Sequence, residues 1–153
     1  MMSGVPSPMR ALGLAGLIPF VGLAGLVIAG GETIRTAALH AQIGYGAVIA
    51  SFLGAIHWGL AVQTPALSTL PRLGWGVTPS LLGWAALLLP PVPALMLLTA
   101  ALLAALVIDE FSFGGGDRRA WFLKLRRLLS VGAMLSLLVT LIDLVVKGPP
   151  GSA

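Results

Sequence analysis

Residues 47–60 read A-V-I-A-S-F-L-G-A-I-H-W-G-L, a run with no charged residue and a lone His-Trp pair near its end. On a helix advancing about 100° per residue, Ala47, Ser51, Ala55 and Gly59 form one row of small side chains. Gly46, Ala50 and Gly54 form a second row beside it. Ile49, Phe52, Leu53, Ile56 and Leu60 then belong to a bulky face. Inside lipid, small residues at this spacing let helix backbones approach closely. The expected arrangement is a packing hub, with both small rows toward protein and the bulky face toward lipid. His57 lies beside the Gly46/Ala50/Gly54 row and faces neighbouring helices.

Composition supports lipid as the solvent. Of the 153 residues, 58% are hydrophobic and 9% charged, against roughly 25% charged in a soluble domain. A globule of this size cannot hide so much apolar surface from water. The chain has no Cys, which excludes disulfides, thiolate metal sites and a Cys nucleophile. A net charge of +4 is compatible with nucleic acid, but the basic residues sit beside apolar runs. Anionic lipid headgroups are therefore the expected partner, and no nucleic acid.

The fold class that follows is all-α: one integral membrane domain over 1–153, a polytopic helical bundle. Five spans are expected, at about 11–31, 41–62, 73–89, 92–108 and 128–146, with one interfacial amphipathic helix at about 117–127. The first span competes with a cleaved signal peptide, whose apolar core is ordinarily shorter. Pro19 removes one helix hydrogen bond inside it, which predicts a kink. Glu32, Arg35 and His40 read as a short polar turn. The third and fourth spans are short for ~30 Å of hydrocarbon, so a re-entrant hairpin is the alternative to two crossings. Gly114, Gly115 and Gly116 lack the strand and the GK[ST] of a phosphate loop.

In the interfacial helix, Trp121, Phe122, Leu125, Leu128 and Leu129 share a face, and Arg118, Arg119, Lys124, Arg126 and Arg127 occupy the rest. Such a basic amphipathic segment lies at the lipid interface with Trp121 as anchor. Topology follows from basic residues. Arg10, Arg72 and the five of the interfacial helix lie on one side of a five-span chain, Arg35 and Lys147 on the other. This bias puts the amino terminus in the cytoplasm and the carboxyl terminus in the periplasm of a bacterial inner membrane.

Few residues are equipped for chemistry. Ionisable groups inside a span are functional candidates, and His57 is the first of them. With Trp58 and Trp75 it could contact haem or quinone, or relay protons. The structural alternative is a neutral imidazole bonded to the Trp75 carbonyl, which Pro79 deprives of its helix donor. His40 lies ~25 Å from His57 along one helix, so the two cannot share a metal, and no zinc-binding spacing occurs. Asp109 continues the Ala101/Ala105 row toward neighbouring helices. It would neutralise an Arg of the interfacial helix or serve His57 as an acid–base partner. Asp143 and Lys147 are spaced for an ion pair on one helix face. No catalytic constellation is visible, and the expectation is a non-enzymatic protein with no cofactor specified.

Three strings, SFLGAIHWG at 51–59, WGVTPSLLGW at 75–84 and WFLKLRR at 121–127, resemble a bacterial family of unknown function related to mitochondrial transmembrane protein 69. The resemblance covers nearly the whole chain. It implies a small polytopic inner-membrane protein and, through the mitochondrial kinship, an energy-transducing membrane. The leading expectation is a packing, assembly or accessory partner of a larger, respiratory-type complex, or a homo-oligomer. The alternatives are a binder of haem or quinone near His57 and a small permease, for which 153 residues are few.

Overall fold

A computed structural model describes residues 6–113, 120–148 and 150. The elements are α1 (Ser7–Ala15), α2 (Leu17–Ala29), α3 (Glu32–Gln63), a 3-10 turn (Pro65–Leu67), α4 (Leu70–Leu87), α5 (Pro91–Phe113) and α6 (Ala120–Lys147). No strand occurs among the described residues. Four helical segments are long and apolar enough to cross a membrane: Ser7–Ala29, Glu32–Gln63, Pro91–Phe113 and Trp121–Lys147. The expected third span, α4, has 18 residues and is not among these four.

The four long segments close into a ring in which α2 meets α3, α3 meets α5, α5 meets α6 and α6 returns to α2. Helix α4 lies outside the ring against α3 and α5, and its interface with α3 is the most extensive in the bundle. The core is aliphatic, with Leu39, Leu95, Leu98, Leu102, Leu137 and Leu144 essentially inaccessible.

The break foreseen from Pro19 is present. Helix α1 stops at Ala15, Gly16 forms a turn, and α2 begins at Leu17. Proline at 19 cannot donate to the Ala15 carbonyl, so the helical hydrogen bonding is interrupted one turn earlier, with Gly16 itself still in the right-handed helical region. Tyr45 Oη, reaching from α3, donates to the Gly16 carbonyl at 2.9 Å and fixes the turn.

Several expected boundaries are corrected. The polar turn at Glu32, Arg35 and His40 is helix: α3 runs unbroken for 32 residues. Neither Gly nor Pro interrupts residues 32–43, and Glu32 in the first turn complements the helix dipole. Only Gly30 and Gly31 separate α2 from α3. Likewise α5 continues past Asp109 to Phe113. The expected separate interfacial helix is instead the start of α6, continuous from Ala120 to Lys147. Arg118, Arg119 and the glycines at 114–116 lie outside the described residues.

The lipid face of α3 also needs correcting. Leu53, expected on it, is buried (8% exposed) and Phe52 is outward (66%). Seven residues make almost two turns, so Leu53 follows Gly46 on the inner stripe. Val48, Phe52, Ala55, Gly59 and Val62 make the outer one. The row Gly46/Ala50/Gly54 is buried as expected. In the other small row only Ala47 is buried; Ser51 is half-buried, and Ala55 and Gly59 face outward.

Candidate functional site

The end of the bundle where α3 and α5 finish and α6 begins holds a buried polar network built from three helices. His57 on α3 and Asp109 on α5 are each 1% exposed, and Arg126 on α6 is 6% exposed. His57 Nε2 lies 3.1 Å from Asp109 Oδ1. A carboxylate oxygen only accepts, so Nε2 carries the proton and donates. Arg126 Nε donates to Asp109 Oδ2 at 2.6 Å, and Arg126 Nη1 donates to Ser130 Oγ at 2.7 Å. Asp109 thus sits between an imidazole and a guanidinium and offsets the Arg126 charge. His57 Nδ1 and Arg126 Nη2 have no hydrogen-bond partner.

Asp109 pairs with Arg126, as expected, and also meets His57. The expected bond from His57 to the Trp75 carbonyl does not form; Asp109 takes that place. The imidazole also stacks on Phe113, 5.5 Å between ring centres, and Phe113 meets Phe122 edge-on at 5.6 Å. Below the network, exposed Arg127 forks onto Glu110 through Nε and Nη2, both at 2.5 Å. Such a bidentate pair ties α5 to α6.

Arg126 was expected at the lipid interface and is buried instead. The inward stripe of α6 runs through Ser130, Ala133, Leu137, Thr140 and Leu144, and stepping back one turn from Ser130 lands on Arg126. Lys124 and Arg127 remain exposed, and Trp121 is half-buried.

A second polar cluster closes the opposite end. Arg35 Nη2 donates to Asp143 Oδ2 at 2.9 Å and to the Gly148 carbonyl at 2.9 Å. The expected pair of Lys147 with Asp143 forms at 2.6 Å, and Lys147 Nζ also donates to the Ile28 carbonyl at 3.3 Å. Three helices, α2, α3 and α6, are thereby linked. Midway between the clusters, Gln42 Nε2 donates to the Phe20 carbonyl at 3.3 Å, fully buried. Arg35 and Gln42 escaped the sequence reading, although both fall on the stripe that continues from His57 through Ala50 and Gly46.

His57, Trp58 and Trp75 do not surround one cavity. Trp58 covers Gly76 of α4 with its indole and donates from Nε1 to the Leu73 carbonyl at 3.1 Å. Trp75 is partly buried against the aliphatic core. Trp58 thus lies across the α3–α4 contact with its outer side exposed. His40 is exposed and donates from Nδ1 to the Thr36 carbonyl at 2.9 Å. No group of three or more His, Cys, Asp or Glu suited to a metal ion occurs among the described residues.

The small residues place these groups. A Cβ at Gly54 would run into the Gly76 carbonyl oxygen, and one at Gly83 would lie 2.9 Å from the Ala47 carbonyl oxygen. The α3–α4 crossing is consequently backbone on backbone. A Cβ at Gly46 would lie 3.0 Å from Leu98 of α5, so the Gly46/Ala50/Gly54 row carries His57 close to α5 and Asp109.

A family model described as protein of unknown function (DUF3429) matches residues 5–142. The chain belongs to the DUF3429 family. Transmembrane protein 69 of Xenopus tropicalis is 38% identical over 146 residues, covering 93% of this chain and 56% of the relative. Transmembrane protein 69 of Mus musculus is 31% identical over 139 residues, covering 90% of this chain and 56% of the relative. The chain therefore spans about half the length of these curated relatives. No solved structure matches.

In this DUF3429 chain the three strings that carried the resemblance build neighbouring pieces of the half that holds Asp109. The first supplies Gly54, His57 and Trp58 on α3. The second supplies Gly76 and Pro79, where α4 crosses α3. The third supplies Trp121 and Arg126 at the start of α6. With its apolar helices and these relatives, the chain is an integral membrane protein of the DUF3429 family.

Proposed function

We propose that this protein is a non-enzymatic accessory subunit that packs against a larger complex, respiratory in kind, in a bacterial inner membrane. Its amino terminus lies in the cytoplasm and its carboxyl terminus in the periplasm. Exposed Lys124 and Arg127 at the inner end meet anionic headgroups.

One observation carries this reading. In the outward stripe of α3, Ala55 and Gly59 form a notch between exposed Phe52 and Val62. A Cβ on Gly59 would meet nothing within 4 Å. Lipid chains gain little from such a notch, whereas another helix can lay its backbone into it. Arg35, His57, Asp109, Arg126 and Asp143, meanwhile, each bond from one helix to another, which favours a structural part over a catalytic one.

Purification from native membranes in mild detergent tests the reading. Larger membrane subunits should co-elute with wild-type protein. Gly59→Leu should release them while leaving the melting temperature unchanged. A second copy in their place would make the notch a homo-oligomer contact. Wild-type protein that elutes alone from native membranes would overturn the proposal.

A further inference from the structure

A cavity of about 480 Å³ lies between α1, α2, α3 and α6, at the end of the bundle that holds Asp109. Its volume lies within the roughly 300–1,000 Å³ of small-molecule sites. The walls are apolar, with Leu17, Phe20, Leu53, Ile56 and Leu129 among them, and exposed Leu12 and Phe52 flank the lipid-facing side. Two lining side chains stand apart, Arg126 and Ser130. Ser130 accepts from Arg126 Nη1, and Asp109 takes Nε. Arg126 Nη2 is buried without a partner.

A buried donor left unbonded is unfavourable. A guanidinium nitrogen is still more so. Asp109 already offsets the charge, so this N–H calls for one acceptor oxygen rather than a counterion. An apolar chamber on the lipid-facing side of a membrane bundle, with one vacant donor in its wall, fits an amphiphile of matching design. We propose that the cavity binds a hydrocarbon-tailed ligand whose head offers a carbonyl oxygen, of a quinone or of a carboxylic acid, to Arg126 Nη2, the tail running along Phe20 and Leu53 toward Leu12. This site is distinct from the Ala55/Gly59 notch and does not depend on the accessory reading. Quinones and free fatty acids share the required chemistry.

Full-length protein in phosphatidylcholine nanodiscs allows the test. The probes are a decyl-tailed benzoquinone and brominated palmitate, each read by quenching of Trp121, which lines the cavity. Trp121→Phe supplies the background. Wild-type protein should show saturable quenching by at least one probe; quenching by the benzoquinone alone assigns a neutral carbonyl head, and by palmitate alone an acid. Arg126→Lys keeps a cation beside Asp109 but removes Nη2, and should weaken binding at least tenfold. Ile56→Trp, assayed by displacement of tritiated probe, fills the cavity without touching the polar network and should abolish binding. Should Arg126→Lys fail to fold, Ile56→Trp decides alone. Failure of both probes to saturate the wild type would overturn the proposal, as would unchanged affinity in a folded variant.

Discussion

At the scale of single residues, Asp109 is the pivot of the inner end, because it is the one acid that both His57 and Arg126 reach. Removing one partner of a buried ion pair leaves the other charge uncompensated, at a cost of about 3–5 kcal/mol. Asp109→Ala should accordingly lower the melting temperature sharply in detergent, while Arg127→Ala, at the exposed pair nearby, should leave it near the wild-type value. His57→Leu loses a single interhelical bond, worth ~0.6–1.7 kcal/mol in lipid. In double-mutant cycles it should couple to Asp109→Asn and show no coupling to Pro79→Ala, since the Trp75 carbonyl is not its partner. Coupling to Pro79 would place the imidazole elsewhere.

These residue roles were partly legible. His57 and Asp109 stood out as ionisable side chains in apolar runs, and the Ala101/Ala105 row aimed Asp109 inward correctly. A separate helix over 117–127, as the sequence suggests, hides the place of Arg126 on α6. That boundary reset the 3.6-residue phase which, carried back from Ser130, puts Arg126 inside.

At the scale of elements, the α3–α4 crossing is governed by glycine. The Gly54 position has no room for even a methyl group against the Gly76 carbonyl. Overpacking of this kind costs about 1–3 kcal/mol. Gly54→Ala should therefore destabilise the protein measurably, and Phe52→Leu on the outward stripe should be silent; equal thermal shifts would contradict the assignment of faces. Helix existence was readable from apolar runs and from Pro19, Pro71 and Pro90. Helix ends were less so. Glu32, Arg35 and His40 look like a loop by polarity, yet they occupy one helix whose inward member, Arg35, is neutralised by Asp143, more than a hundred positions away in sequence. No local pattern announces such a partner.

At the scale of the whole molecule, the order of helices around the ring fixes which ends share a side. The amino end of α1 and the 3-10 turn Pro65–Leu67 belong together, opposite Gly148 and the α4–α5 turn. Sidedness tags at Met1 and Ser68 should report the cytoplasm, and one after Gly148 the periplasm. Both termini on one side would dismiss the topology. Sequence hydropathy conveyed the all-α membrane architecture, but not the position of α4 outside the ring.

The two polar clusters have one more consequence. Along α6, Arg126 and Asp143 are separated by ~26 Å of helix, close to the ~30 Å of an average hydrocarbon layer. Both ends of the bundle are locked by charge, so the protein cannot lengthen or shorten to suit its surroundings. Its stability should then depend on how well the bilayer matches that fixed length. Longer acyl chains would draw both clusters into oil, and shorter ones would strip lipid from the apolar flanks. Melting temperature across phosphatidylcholines of increasing chain length should thus pass through a maximum. The membrane at that maximum is the one in which the fold is at rest.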